Sequence, residues 1–217
     1  MKKRSGTSVN ARKRTGVRRK PVPTAPKRAA GNAVFLVGFM GAGKTSVGRA
    51  LAARLNWEFE DLDDRIQRRE GRTVADIFRD SGEDGFRRAE RAALGQVVEE
   101  LRGGVARIVA LGGGAFVQPE NSALLLAAGV PTVFLDAPVE HLWERCTQQA
   151  VAAGAERPLL RSLEQFRQLY EARHKSYQKA GLKMQTATRS VEAIADEIVK
   201  ALGLRKIATR TEQGEVE

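Results

Sequence analysis

The sequence predicts one α/β domain, built on a parallel sheet with helices on both faces. Short apolar runs rich in β-forming residues alternate with stretches of helical periodicity along most of the chain. The inner runs are apolar throughout, which is typical of strands buried on both faces. At 217 residues, the chain is long enough for one such domain with a substantial core.

The first half of the predicted domain begins with the strand AVFLVG at 33–38 and a glycine-rich turn. The helix that follows, at 44–55, is indicated by Val47, Leu51 and Leu55 at helical spacing. A short strand, EFED, is predicted at 58–61. Three helices are then predicted, at 64–71, 73–82 and 83–101, the first two ending at glycines.

The second half supplies three more predicted strands. ARIVAL (106–111) and PTVFLD (131–136) are of the fully buried type, and KMQTAT (183–188) is a weaker candidate. A helix is predicted at 191–203, and no internal repeat is present. The order of elements therefore favours a parallel sheet covered by helices.

The net charge of +11 is concentrated at the N-terminus. Residues 1–32 hold eleven of the 37 basic residues and none of the 26 acidic ones, so the chain from residue 33 onward is formally neutral. The segment has too little apolar surface to offset its ordering entropy, so we expect a disordered basic tail. It lacks the apolar stretch of a secretory signal. We expect it to be solvated, with weak binding to polyanions as the alternative and no specific nucleic-acid partner.

The remaining composition indicates a cytoplasmic enzyme-sized domain at 33–202, followed by a second polar tail at 203–217. No apolar run reaches the ~18 residues of a membrane-spanning helix. Cys146 is the single cysteine, which excludes an internal disulfide and fits a reducing compartment. The two histidines lack metal-ligand spacing.

The stretch GFMGAGKT at 38–45 satisfies the phosphate-loop pattern G-x-x-x-x-G-K-[ST]. Its glycines let the backbone turn several N–H groups toward phosphate oxygens. Lys44 would reach the β- and γ-phosphates, and the Thr45 hydroxyl would ligate Mg²⁺. Because the motif lies between a strand and an amphipathic helix, it predicts a nucleoside triphosphate site. The absence of a guanine-reading motif, together with the short chain, favours a small kinase.

Two carboxylates, Asp61 and Asp63, follow the second strand at the edge where ligands bind in such sheets. One carboxylate could hold Mg²⁺ through water, and the other could accept a proton from the attacking hydroxyl. The alternative is an acidic helix start, in which Asp63 and Asp64 serve as cap and first turn.

Two further patterns also leave alternatives open. Gly112, Gly113 and Gly114 follow the third strand, either for turn geometry or because a ligand must approach the backbone closely. Arg87 could be solvent-exposed and pair with acidic residues at helical spacing, which are Glu83, Asp84 and Glu90. Arg173 could likewise be exposed, or both arginines could bind anions in two-point fashion.

Taken in order, these motifs resemble the shikimate kinase family. The matching pieces are GFMGAGKT, the F-x-D-x-D of 59–63, the G-E-x-x-F-R-x-x-E of 82–90, the GGG of 112–114, the RPLL of 157–160 and the R-x-x-x-Y of 173–177. The match spans about residues 33–202, and the full set in this order is highly specific. It implies the nucleoside monophosphate kinase fold, a five-stranded parallel sheet in the order 2-3-1-4-5 with a mobile lid.

The resemblance implies transfer of the γ-phosphoryl group of ATP, with Mg²⁺, to the 3-hydroxyl of shikimate by a monomer. On the acceptor side, Asp63 would contact the ring hydroxyls and act as the base. Arg87 and Arg173 would clamp the carboxylate, over a floor made by the three glycines.

On the donor side, the resemblance implies that Thr45 and Asp61 hold Mg²⁺, directly and through water. Arg157 would reach the ATP phosphates from the lid. The other positions implied to bind ATP are Gly41, Ala42, Gly43, Lys44 and Ser46 in the loop, with Arg145 and Arg189 beside the adenine.

Two rival functions remain at this point. A gluconate-type small kinase would share the phosphate loop, but the joint presence of F-x-D-x-D, F-R and GGG is against it. A non-catalytic sensor on the same domain should lack Lys44, Asp61 or Asp63, all of which this chain keeps.

Overall fold

The computed structural model describes residues 32–153 and 162–207. The predicted basic tail up to residue 31, Arg157 with the predicted lid, and residues 208–217 lie outside the described residues. In chain order, the described elements are β1 (Ala33–Val37), α1 (Lys44–Leu55), β2 (Glu58–Asp61), α2 (Leu62–Glu70), α3 (Val74–Arg102), β3 (Arg107–Ala110), a 3₁₀ turn (Ala115–Val117), α4 (Pro119–Ala128), β4 (Thr132–Asp136), α5 (Val139–Ala153), α6 (Leu163–Tyr177), β5 (Leu182–Gln185) and α7 (Val191–Leu202).

The five strands form one parallel sheet in the order β2-β3-β1-β4-β5, as predicted. The register aligns the strand ends: Val37 pairs with Phe134, and Asp61 pairs with Ala110. Because all strands are parallel, the loops that follow β1, β2, β3 and β4 leave the same edge of the sheet. The phosphate loop, Asp61 and the glycine triplet follow β1, β2 and β3 at this carboxyl edge.

The core lies on both faces of the central strand β1, whose five residues are all buried. The predicted stripe Val47, Leu51 and Leu55 of α1 is buried against the sheet. Burial on both faces is what the continuous apolar strand runs predicted. Strands β1, β3 and β4 are therefore held in the core, and each fixes the start of the loop that follows it.

Helix α3 consists of two helical segments that meet at a kink at Gly82, where φ is 66° and ψ is −173°. The kink lies where the sequence predicts one helix to end and the next to begin. It separates the first turns, capped by Thr73 with a reciprocal capping box to Asp76, from the segment that carries Arg87.

An ion-pair network fixes α2 and α3 to the edge strand β2. Glu60 accepts from Arg65 at 3.0 Å and from Arg107 at 2.9 Å, and its side chain is only 11% exposed. Glu100, near the end of α3, pairs with the same two arginines. Hydrogen bonds from Arg65 and then Arg107 lower the pKa of Glu100 to about 2. The network holds the two helices that carry the acceptor-side residues.

Residues 203–207, the first part of the predicted C-terminal tail, lie against the end of α1. The Ile207 N–H donates to Leu55 O at 3.0 Å, and Asn56 Nδ2 donates to Ile207 O at 3.3 Å.

None of the helices in the described part of the chain combines the length and apolar character needed to cross a membrane.

Candidate active site

The phosphate loop follows β1 and turns through two left-handed glycines. Gly41 has φ 77° and Gly43 has φ 88°, a backbone region that side chains rarely tolerate. A β-carbon at Gly41 would also lie 2.7 Å from Leu142 O. Lys44 folds back over the loop, and its Nζ donates to Gly38 O and Phe39 O at 3.0 Å each. The loop is therefore shaped by its glycines and spanned by its lysine.

Helix α1 begins without a side-chain cap. Its N-cap is Gly43, which supplies no acceptor for the first N–H groups. By contrast, α2, α3, α6 and α7 all begin at capping side chains, which are Asp61, Thr73, Ser162 and Ser190. Uncapped N–H groups and the positive end of the helix dipole make this terminus a ready anion site.

Asp61 caps α2 and also faces Thr45; the alternative that placed the cap at Asp63 is wrong, because Asp63 lies in the first turn of the helix with Asp64. Its Oδ1 accepts from the Asp63 N–H at 3.1 Å, which caps α2. Its Oδ2 accepts from the Thr45 hydroxyl at 3.2 Å. The cap therefore orients a carboxylate beside the first residues of α1, where a hydroxyl and a carboxylate offer the oxygen ligands that Mg²⁺ prefers.

The Asp63 carboxyl stands beside the Lys44 ammonium. Its Oδ1 is buried, and none of the described residues donates a hydrogen bond to that atom. Burial, and then repulsion from Asp61, raises the pKa of Asp63 above its ordinary value. The charges of Lys44 and Arg87 act in the opposite direction. The burial of Lys44 in turn lowers its pKa, against the attraction of Asp63 and Asp61.

Arg87 lies on the second segment of α3 and is held by two carboxylates. Its Nη1 donates to Glu90 at 2.9 Å, and its Nη2 donates to Glu83 at 3.1 Å. Glu90 is 1% exposed, and burial raises its pKa although Arg87 opposes the shift. The pairing predicted for a solvent-exposed arginine is thus present, but Arg87 itself is mostly enclosed, with 18% of its side chain exposed.

The glycine triplet touches both of these acceptor-side groups. A β-carbon at Gly112 would stand 2.7 Å from Asp63 Oδ1, and one at Gly114 would stand 2.6 Å from Arg87 Nη2. None of the three glycines has a positive φ, so backbone conformation does not require them. Gly112 and Gly114 instead leave room for the side chains of Asp63 and Arg87, which approach the loop backbone closely.

The central glycine faces helix α6. A β-carbon at Gly113 would be 3.5 Å from Arg173 Nη1 and 3.8 Å from the Tyr177 hydroxyl, which is ordinary contact. The Tyr177 hydroxyl donates to Gly113 O. Arg173 Cζ also lies 5.8 Å from the ring centroid of Phe39 in the phosphate loop. Arg173 therefore stands between the two loops.

The two arginines predicted at the adenine have different surroundings. Arg145 bridges the phosphate loop and the β5–α7 connection, since it donates to Gly41 O at 3.4 Å and to Thr186 O at 2.8 Å. Arg189 donates to Ala193 O and pairs with Glu197, both on α7. The structure thus brings Arg145 to the loop, while the contacts described for Arg189 lie on α7.

Sequence reasoning gave Tyr177 no role and considered Glu90 only as a surface partner of Arg87, although both belong to the quoted motifs. A signal for Glu90 was present, because it shares one helical face with Phe86, Ala89 and Ala93, all of them buried. A carboxylate three residues after Arg87 on such a face is expected to pair inward. Tyr177 offered no comparable local signal.

The phosphate loop, the Asp61 and Asp63 carboxylates and the glycine triplet lie at one edge of the sheet, after β1, β2 and β3. A phosphate loop on this strand order, opposite a carboxylate and two guanidinium groups, defines the class of P-loop kinases that phosphorylate a small molecule. Within the described residues, no group of three or more His, Cys, Asp or Glu side chains could hold a metal alone.

Comparison with known proteins identifies the family within this class. The family model described as shikimate kinase matches residues 40–203. A shikimate kinase of Thermus thermophilus is 45% identical over 172 residues, 78% of this chain and 89% of its own. The shikimate kinase of Acinetobacter baumannii, solved in complex with shikimate, is 34% identical with a TM-score of 0.70, covering 79% of this chain and 92% of that one. The Aquifex aeolicus enzyme is 35% identical with a TM-score of 0.67, covering 79% and 96%. The chain belongs to the shikimate kinase family.

Proposed function

We propose that this protein transfers the γ-phosphoryl group of MgATP to the 3-hydroxyl of shikimate, giving shikimate 3-phosphate and ADP. The observation that carries the proposal is the glycine triplet, whose outer members clear space for Asp63 and Arg87 beside the phosphate loop. A relative at 34% identity was solved in complex with shikimate. The kinase domain would span residues 33–202, with the basic tail outside it.

On the acceptor side, Arg87 and Arg173 bind the shikimate carboxylate. Their planar guanidinium groups suit two-point recognition of a carboxylate. The flat ring then rests on Gly113, where no side chain intrudes, and Gly112 and Gly114 complete the floor. Arg87 is pre-oriented because Glu83 and Glu90 hold it before substrate arrives.

Asp63 accepts the proton of the 3-hydroxyl as its oxygen attacks the γ-phosphorus. The bond between that phosphorus and the β–γ bridging oxygen breaks, and ADP leaves. A carboxylate whose pKa is raised is a better base near neutral pH than an ordinary one. Its Oδ1, to which none of the described residues donates a hydrogen bond, is the acceptor atom for that hydroxyl.

On the donor side, the N–H groups of the phosphate loop and of the first turn of α1, from Gly41 to Ser46, bind the β- and γ-phosphates. Lys44 exchanges its two loop carbonyls for phosphate oxygens. Arg145 lies beside the adenine, next to the β5–α7 connection that it already contacts. The roles of Arg189 at the adenine and of Arg157 at the phosphates stay predictions.

The residues at the start of α1 fit a magnesium ion. Thr45 and Asp61 present a hydroxyl and a carboxylate 3.2 Å apart, and Mg²⁺ takes such oxygens together with waters and substrate phosphates. When bound, the ion neutralises charge on the β- and γ-phosphates. The cap that Asp61 forms on α2 fixes the carboxylate for that purpose.

We also propose that the protein acts as a monomer in the cytoplasm. Large apolar side chains exposed in the described part of the chain are scattered, with Leu126 and Val151 the most exposed at 83% each. The single cysteine of the sequence fits a reducing compartment. Size-exclusion chromatography with light scattering would test the oligomeric state.

The direct test is ADP release by the full chain, measured in a coupled assay with MgATP and a panel of sugar acids. Shikimate should be the strongly preferred acceptor, and activity should require Mg²⁺. Preference for gluconate would support the rival kinase, and shikimate binding without ADP release would support the sensor. Asp63→Asn should abolish turnover, whereas the matched control Asp64→Asn, at an exposed neighbouring carboxylate, should retain it.

A further inference from the structure

The carboxylate of Asp136 ends strand β4 and is almost fully buried. Its Oδ1 accepts from the Tyr170 hydroxyl at 3.2 Å and lies 3.7 Å from His174 Nε2. Its Oδ2 accepts from Gln185 Nε2 at 3.1 Å and from Lys183 Nζ at 2.9 Å. Burying a carboxylate is costly unless it is paired and hydrogen-bonded. Here the partners come from two elements, α6 and β5, so the charge ties both to the end of β4.

The face of α6 that meets Asp136 continues into the acceptor site. Tyr170, Arg173 and Tyr177 are spaced by three and four residues, which places them on one side of the helix. Tyr170 packs edge-on against the Phe39 ring with centroids 5.5 Å apart, and Arg173 lies over the same ring. One turn further, Tyr177 bonds to Gly113.

Among the described residues, no carboxylate forms an ion pair with Arg173, although the charge of Arg173 does act on Glu90. Its contacts include the Phe39 ring and the Tyr177 hydroxyl, and its Nη1 lies 3.5 Å from where a β-carbon of Gly113 would be. None of these fixes the direction of a guanidinium group as a bidentate carboxylate would. The placement of Arg173 therefore depends on where α6 sits.

We propose that Asp136 is a positioning residue for the acceptor site. Through Tyr170, it sets the placement of α6 and thereby holds the Arg173 guanidinium beside Gly113. This inference rests on the proposed function, in which Arg173 binds the shikimate carboxylate. The described contacts of the Asp136 carboxylate are with α6 and β5, and not with the phosphate loop or the glycine triplet. Asp136 therefore acts on the acceptor site only through helix α6.

The two sides of the cluster supply matched variants. Tyr170→Phe removes the hydroxyl that reaches Asp136 and keeps the ring against Phe39. Lys183→Met removes the ammonium on the other side, from a β5 side chain that is 48% exposed. If the cluster served only the stability of the fold, both variants would have a lower melting temperature and neither would change the affinity for shikimate.

The experiment measures the dissociation constant of shikimate by calorimetry, and KM and kcat for both substrates. Asp136→Ala and Tyr170→Phe should each weaken shikimate binding, the first by about tenfold or more, because small misplacements of a binding group are costly. Their KM for ATP should stay within about twofold, and Asp136→Asn, which keeps an acceptor oxygen for Tyr170, should recover part of the loss. Lys183→Met should bind shikimate as the wild type does.

The decisive step repeats Asp136→Ala in an Arg173→Ala background. If Asp136 acts through Arg173, the second substitution should add almost nothing to the loss of shikimate binding. Full additivity would overturn the proposal, and so would normal shikimate binding by a folded Tyr170→Phe protein if Asp136→Ala does not fold. A wild-type protein that does not phosphorylate shikimate overturns the proposed function as well, whereas an active wild type with unaffected variants overturns the role of Asp136 alone.

Discussion

Replacing Gly113 by alanine separates substrate contact from loop geometry. The added methyl group meets nothing nearer than 3.5 Å, and φ lies outside the left-handed region, so the folded loop accommodates it. Restricting the unfolded chain should then stabilise the protein by up to about 1 kcal/mol. The methyl group projects toward Arg173 and Tyr177, where we place the shikimate ring.

The expected effect on catalysis is large in comparison. If the ring must move by about 1 Å to clear the methyl group, kcat/KM for shikimate should fall about a hundredfold. That fall equals about 2.7 kcal/mol of lost transition-state stabilisation. The KM for ATP should be nearly unchanged, because Gly113 faces α6 across the acceptor side of the site.

Gly114→Ala is the matched comparison. Its β-carbon would be 2.6 Å from Arg87 Nη2, so the guanidinium must shift by roughly 0.8 Å to reach ordinary contact even without substrate. Both variants should lose shikimate turnover, but only Gly114→Ala displaces a protein group in the free enzyme.

The assays are steady-state kinetics with each substrate varied and thermal melting of both proteins. A Gly113→Ala protein with wild-type kinetics for shikimate would refute the placement of the ring. A protein that melts early but handles shikimate normally while folded would show that the glycine serves the turn alone.

Three further predictions concern charged groups. Arg87→Lys keeps the charge but loses the planar fork, so shikimate KM should rise by a factor equivalent to about 2 kcal/mol with little change for ATP; equal damage to both would indicate a structural role. Asp63→Asn should melt at a higher temperature than the wild type at pH 7, because the pKa of Asp63 is raised in the folded state and its charged form is therefore disfavoured there. The difference in melting temperature should shrink as the pH falls through the raised pKa. A variant that melts at a lower temperature than the wild type at pH 7 would contradict this prediction. Glu100→Gln should cost less than about 1 kcal/mol at pH 7, since the pair with Arg65 and Arg107 is partly exposed. Because the pKa of Glu100 is lowered to about 2, that contribution is complete above its ordinary value and lost toward pH 2, where the two proteins should unfold alike in acid titrations.

Much of the fold was predictable because its signals are local. The strands at 33–37, 58–61 and 132–136 lie within the runs that the sequence predicts as strands. The phosphate loop is a contiguous stretch whose glycines have the positive φ that their residue type predicts. Parallel strands then place the following loops on one edge, so the neighbourhood of Asp61 and Lys44 followed from topology.

Helices α4, α5 and α6 received no assignment from the sequence. In α4, three consecutive leucines interrupt any amphipathic stripe, and the structure buries Leu125 while leaving Leu126 83% exposed. Periodicity cannot indicate a helix whose exposed face is also apolar. The position of α4 therefore depended on tertiary packing.

By itself, the sequence determined the class of reaction and the residue types that carry it, since nucleotide binding needs a short contiguous motif. Only the tertiary structure showed which side chains crowd Gly112 and Gly114 and which carboxylates hold Arg87. Tyr177 meets Gly113 across 64 positions, and Tyr170 meets Asp136 across 34. Such contacts depend on how α6 packs across the sheet edge. The spacing of residues along the chain does not indicate that packing.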